Sequence, residues 1–196
     1  MAKTYSQKSS TYYLFRHGDT FVTKGQRVWY YPKFIPETAF SYGSKVFSAS
    51  ILDEAKPTIQ KLAEYLKEIP TQFNASSQFR RCRQTVEIVE KVSKKEFVFD
   101  KRLNEFVFET PWRFNHRVKS FIDDLKAKSY DSVAICTHGI VIARMITILT
   151  GEKTGFPKPG VLVIIKGTEI TYKDFNLVPE DVVPTTKKLK TSKIIQ

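Results

Sequence analysis

Hydrophobic positions along the chain alternate between short runs of strand type and longer stretches with helical spacing. Thr11–Phe15 (TYYLF) is β-branched and aromatic, with Arg16-His17-Gly18 closing it, which predicts a buried strand. From Asp53 to Lys67, Ile59, Leu62, Ala63 and Leu66 recur at helical intervals; Asp53 and Glu54 sit where a helix N-terminus favours acid, and Pro57 must fall in the first turn or bend the helix. A strand over Gln72–Ala75, Ser76-Ser77 as cap candidates and a helix over about Phe79–Ser93 come next. Glu96–Phe99 is a third strand candidate. Thr110-Pro111 reads as a helix cap with proline at the first position, opening a helix through Lys126 with Phe114, Val118, Phe121, Ile122 and Leu125 on one face. Ser132–Cys136 predicts another strand, His138-Gly139 opens a helix to about Leu149, and Gly160–Lys166 with Glu169–Lys173 reads as a closing hairpin.

Strands alternating with helices predict an α/β fold: a three-layer sandwich in which helices flank a mostly parallel central sheet. At 196 residues the expectation is one domain over 1–184. Residues 185–196 form a Lys-rich tail without an acidic residue, expected to be flexible. The connection Gln26–Ser50 departs from the pattern. Its seven aromatics (Trp29, Tyr30, Tyr31, Phe34, Phe40, Tyr42 and Phe47) are too apolar for a solvated linker, and it reads either as a lid or pocket wall or as a satellite core under a long loop.

Composition narrows the classes. A 41% hydrophobic content with 26 Phe, Trp and Tyr residues excludes a disordered chain, and two cysteines 54 residues apart exclude a disulfide scaffold or a Cys-rich zinc site. Cys82 and Cys136 fit a reducing cytoplasm. The most apolar stretch, Gly139–Gly151, is too short to span a membrane and carries Arg144, and the N-terminus lacks the apolar core of a signal peptide. The formal charge of +12 points to an anionic partner without naming it.

Ligands of open parallel sheets bind beyond the carboxyl ends of the strands. The residues following the proposed strands are Arg16-His17-Gly18, then Ser76-Ser77 leading to Arg80-Arg81-Cys82-Arg83, then Leu103-Asn104-Glu105, then Thr137-His138-Gly139. Guanidinium forks and helix N-terminal amides suit a phosphate dianion, a neutral imidazole can attack phosphorus, and a carboxylic acid can protonate a departing alkoxide. With cationic side chains to neutralise charge, and no acidic cluster for Mg²⁺, no metal or cofactor is expected.

Four ordered strings sharpen this. Leu14-Phe15-Arg16-His17-Gly18-Asp19-Thr20, Ser76-Ser77-Gln78-Phe79-Arg80-Arg81-Cys82-Arg83-Gln84-Thr85-Val86-Glu87, Leu103-Asn104-Glu105 and Cys136-Thr137-His138-Gly139 together resemble the histidine phosphatase superfamily, the phosphoglycerate-mutase-like family, over residues 11–178. The resemblance implies that His17 is the nucleophile, that Arg16, Arg81 and His138 hold the phosphoryl oxygens, and that Glu105 is the proton donor; weighed apart from the resemblance, Glu109 and Asp19 are the other acids that could take that role. It also implies supporting roles for Glu109 and Arg117. Thr23 stands where many relatives carry a phosphate-contacting Asn, the usual glycines are missing from 106–111, and the Leu52-Asp53-Glu54-Ala55-Lys56 helix start departs from the family's. Arg80 and Arg83 read as solvated helix-face charges, and His116 as an ordinary helix residue.

The expected activity is metal-independent hydrolysis of a phosphorylated small molecule through phosphohistidine. A phosphoglycerate-type mutase and a phosphohistidine-protein phosphatase are the enzymatic alternatives, and a non-catalytic anion- or nucleic-acid-binding module is the remote one. Nucleic acid and membrane are not expected partners, and oligomeric state is left open.

Overall fold

The structure, a computed structural model, describes residues 10–23 and 42–176. Strands are β1 (Thr11–Arg16), β2 (Phe73–Ser76), β3 (Val98–Phe99), β4 (Ser132–Thr137), β5 (Val161–Lys166) and β6 (Glu169–Asp174). Helices are α1 (Lys56–Lys67), α2 (Arg80–Ser93), α3 (Pro111–Ala127) and α4 (Gly139–Thr150), with 3₁₀ turns at Gly43–Lys45, Asp53–Ala55 and Lys101–Leu103. The strands form one sheet in the order β3-β2-β4-β1-β5-β6, parallel from β3 through β1 and antiparallel at β1/β5 and β5/β6.

Side chains alternate across the sheet as strand geometry requires. Tyr12 and Leu14 of β1, Val133 and Ile135 of β4, and Val163 and Ile165 of β5 face α3 and α4 in one buried cluster. Phe15, Ala134, Cys136 and Leu162 face α1 and α2 in the other, against Ile59, Leu62, Ala63, Leu66, Cys82, Val86 and Val89. Each fully buried Leu or Ile contributes about 1.5–3 kcal/mol, so two layers of such residues hold the sheet rigid beneath whatever its edge carries.

Element boundaries follow local chemistry. Pro57 lies in the first turn of α1, where its missing N–H costs nothing, and Asp53–Ala55 winds separately as a 3₁₀ turn. Thr110 caps α3 by accepting from the Arg113 N–H, with Pro111 next. Ser76 and Ser77 do not cap α2: Phe79 is the N-cap residue, and the Ser77 hydroxyl is used elsewhere. β3 is only Val98–Phe99, because Glu96 and Phe97 precede the pairing with β2. Residues 26–41 of the aromatic connection and the basic tail 185–196 lie outside the described residues. Of that connection, Tyr42, Val46 and Ala49 form a small separate buried cluster with Val22 and Val107 packed against it. Among the described residues, no helix is long and apolar enough to cross a membrane.

Candidate active site

The parallel register assembles the site. Arg16 pairs with Thr137 at the last position of β1/β4, and the ladder continues as His17 N–H donates to Thr137 O (3.1 Å) and Ser77 N–H to Cys136 O (3.0 Å). His17, Ser77 and His138 therefore leave three adjacent strands at the same level. The Thr137 hydroxyl donates to Leu103 O (2.6 Å), bringing the Lys101–Leu103 turn, and Glu105 behind it, to that edge. Arg81 reaches in from the first turn of α2.

Two glycines follow the histidines because a side chain would not fit. A Cβ at Gly18 would stand 2.5 Å from Ile59 Cδ1; one at Gly139 would stand 3.0 Å from Phe156 Cβ and 3.2 Å from an Arg16 guanidinium nitrogen. Gly18 N–H donates to the Thr85 hydroxyl (3.0 Å), and the Ile51 N–H to the Gln84 side-chain carbonyl (3.0 Å), so the Gln84-Thr85 pair ties α2 to the loops beside it.

Arg16, His17, Arg81, Glu105 and His138 are all buried together. His17 Nδ1 lies 2.9 Å from Gly18 O, which can only accept, so Nδ1 carries the proton and Nε2 keeps its lone pair; Arg81 Nε donates to that atom at 3.2 Å. His138 has the opposite tautomer. Asn104 Oδ1 accepts from both the Gln78 N–H and the Ser77 hydroxyl (each 2.9 Å), which uses the only Ser77 proton. His138 Nε2, 2.8 Å from Ser77 Oγ, must therefore donate, leaving Nδ1 bare. That bare nitrogen faces Glu105 Oε2 at 3.4 Å, and Arg81 Nη2 approaches the same oxygen at 3.6 Å, too far for a hydrogen bond.

Burial, followed by the Arg81 guanidinium, holds both imidazoles well below the ordinary histidine range and so neutral. Burial also raises the Glu105 carboxyl, against the opposing pull of Arg81 and Arg16. Arg16 Nε, Arg81 Nη2 and His138 Nδ1 are buried nitrogens without a hydrogen-bond partner. Unpaired buried polar atoms are costly, and the two guanidinium nitrogens among these are donors left free for something with acceptor oxygens. His17, Glu105 and His138 offer ligand atoms within 4.8 Å of one another, a spacing that would admit a cation, but the two guanidiniums beside them oppose one and favour an anion.

The remaining candidates lie around this group. Arg117 pairs through both Nε and Nη2 with Glu109 and donates to the carbonyls of Arg102 (2.6 Å) and Glu105 (3.1 Å), so the two brace the Glu105 backbone. Thr23 Oγ1 accepts from Thr20 N–H (2.8 Å), and the Thr20 hydroxyl lies 2.8 Å from Tyr42 Oη; Thr23 thus shapes the loop after β1. Asp19 is raised by partial burial and lines a separate groove of about 180 Å³ with Gly18, Glu54, Thr58, Gly160 and Asn176. Arg80 and Arg83 are exposed, Arg83 lying over the Phe99 ring, and His116 stacks on Trp112. Sequence reasoning missed Ser77 as the partner of His138, Asn104 as the partner of Ser77, and Tyr42, whose ring lies 4.4 Å from the Arg81 guanidinium carbon. The Ser-Ser and Leu-Asn-Glu strings contained the first two, but their pairing needs the strand register.

A family model, histidine phosphatase superfamily (branch 1), matches residues 49–112, a segment holding Arg81, Glu105 and Glu109. No curated protein matches the chain. Among solved structures, phosphoglycerate mutase from Bacillus anthracis str. Sterne superposes with TM-score 0.61 at 17% identity, over 87% of this chain and 95% of that one. The protein histidine phosphatase SixA complexed with tungstate gives TM-score 0.59 at 15% identity over 83% and 94%. A mycobacterial glucosyl-3-phosphoglycerate phosphatase complexed with VO3 gives 0.61 at 15% over 84% and 96%.

Proposed function

We propose that this chain, whose residues 49–112 match the model of the histidine phosphatase superfamily (branch 1), hydrolyses phosphomonoesters without a metal, through a phosphohistidine on His17. The observation that carries this reading is the His17 tautomer: Nδ1–H is tied to Gly18 O, and the Nε2 lone pair stands beside Arg81 among unpaired cationic donors.

On this reading the phosphate dianion fills the cradle, with Arg16, Arg81 and His138 on its oxygens. His138 meets it through Nδ1, which must first take up a proton. His17 Nε2 forms the bond to phosphorus as the bond to the alcohol oxygen breaks. Glu105, whose carboxyl burial raises towards holding a proton, gives that proton to the departing alkoxide in its acid form; the carboxylate left behind then takes a proton from water, whose oxygen attacks phosphorus and frees His17. Arg117 and Glu109 position Glu105 through its carbonyl.

The test is phosphate release from a panel of sugar phosphates, nucleotides, phosphoglycerates and phosphopeptides, with EDTA present and absent, together with an alkaline denaturing quench of enzyme labelled on the phosphoryl group. EDTA-insensitive release and an acid-labile label lost in His17→Ala are expected. No release from any ester, or release unchanged in His17→Ala, refutes the reading. Transfer to a phosphoglycerate in place of water would make the protein a mutase, the activity named for the Bacillus anthracis neighbour.

A further inference from the structure

Aromatic rings lie on the Arg81 guanidinium. Its carbon lies 4.4 Å from the Tyr42 ring centre and 5.0 Å from that of Phe79. Tyr42 meets Phe21 edge to face (5.6 Å), while Phe79 meets Phe47 (5.1 Å) and the His138 ring (5.3 Å) in the same way. The small buried cluster that Tyr42 belongs to, with Val22, Val46 and Val107, is flanked in the chain by three outward phenylalanines: Phe21 beside Val22, Phe47 beside Val46, and Phe108 beside Val107. These are 52%, 54% and 89% exposed. Phe108 also has φ of +52°, a left-handed conformation that phenylalanine rarely adopts, three residues after Glu105. Held strain and exposed apolar surface side by side are characteristic of ligand clamps.

We propose that this collar is the leaving-group subsite, and that the substrates are phosphomonoesters of small aromatic or otherwise apolar alcohols. The inference rests on the phosphatase reading and names its substrate class. The phosphoryl end needs the cations; beside them the described residues offer the exposed rings of Phe21, Phe47 and Phe108. A phenyl group laid against these rings buries apolar surface that a hydroxyethyl group does not. Edge-to-face and offset packing against fixed rings adds to that burial.

Binding of non-hydrolysable phosphonates separates this inference from catalysis. 2-Phenylethylphosphonate and 2-hydroxyethylphosphonate carry the same anionic group and differ in what reaches the collar. Calorimetric titration should find the phenyl compound roughly ten- to thirty-fold tighter in the wild type. In Phe47→Ser and Phe108→Ser that advantage should fall to a few-fold, while 2-hydroxyethylphosphonate keeps its affinity, which also reports that the variants are folded. Equal affinities, or an advantage surviving both substitutions, overturns the proposal. Equal affinities would mean that the collar serves something other than substrate, such as another protein. A phenyl preference without hydrolysis of any ester would support the subsite and refute the phosphatase reading; hydrolysis without the preference would do the reverse.

Discussion

Anion binding should draw a proton into this site, and His138 identifies where it goes. In the free protein Ser77 receives the Nε2 proton of His138 and leaves Nδ1 bare, while burial and Arg81 keep the ring neutral. A dianion cannot rest against a lone pair, so Nδ1 must be protonated when it arrives. Two unit charges 4 Å apart attract by about 4 kcal/mol at an effective dielectric of 20, and a dianion roughly doubles that. The histidine pKa therefore rises when the dianion binds, because the charge beside the ring favours its protonated form. Sulfate is a suitable probe because its charge does not change between pH 5 and 9. Calorimetric titration with sulfate at pH 6, repeated in buffers of different ionisation enthalpy, should show uptake of at least one proton per anion. In His138→Asn the uptake should fall by close to one. Binding without proton uptake, or uptake identical in His138→Asn, would refute the tautomer assignment and the role of Nδ1.

The depressed pKa values of His17 and His138 fix a sign for stability. The unfolded chain binds protons near pH 6.5 while the folded imidazoles resist them, so their contribution is present above 6.5 and lost as pH falls, by up to about 1.4 kcal/mol per pH unit for each. Glu105, raised by burial, acts oppositely, its contribution fading as pH rises above 4.5. Urea unfolding between pH 7.5 and 5.5 should therefore have a shallower pH slope in His17→Gln than in the wild type, and an unchanged slope would contradict the neutral buried imidazole. Gly139→Ala places a methyl against Phe156 and Arg16 and should cost about 1–3 kcal/mol while weakening sulfate binding. Gly151→Ala, strained at φ of +81° but with nothing within 4 Å, should lower the melting temperature and leave sulfate affinity unchanged; equal affinity losses in both would mean that Arg16 is not displaced by the methyl.

The elements that a reader of the chain can place are those whose local signal and tertiary burial agree. The apolar run of β4, the helical spacing of Ile59, Leu62, Ala63 and Leu66, and the Thr110-Pro111 cap all emerge within a residue or two of expectation. Of Arg80, Arg81 and Arg83, only Arg81 is buried; helix geometry separates their directions, and four ordered strings singled out the middle one. What stayed illegible depends on pairing between distant side chains. Nothing in Ser76-Ser77 distinguishes a helix cap from a hydroxyl held between Asn104 and His138, because that choice is made by the β2/β4 register. Likewise, the placing of Tyr42 over Arg81 unites two segments with no shared periodicity.

The strand order carries a consequence for synthesis. β4 lies between β2 and β1, and β5 lies on the far side of β1, so both sheet neighbours of β1 come from the C-terminal half of the described residues. A nascent chain that has emerged only as far as α3 can pair β2 with β3 but leaves β1, with Arg16 and His17 at its tip, unpaired. The central insertion occurs late and joins segments far apart in sequence, the slow kind of closure. Until it happens, the apolar faces of Tyr12, Leu14 and Phe15 are exposed, and a ribosome stalled before residue 132 would hold an aggregation-prone chain that cannot assemble this site.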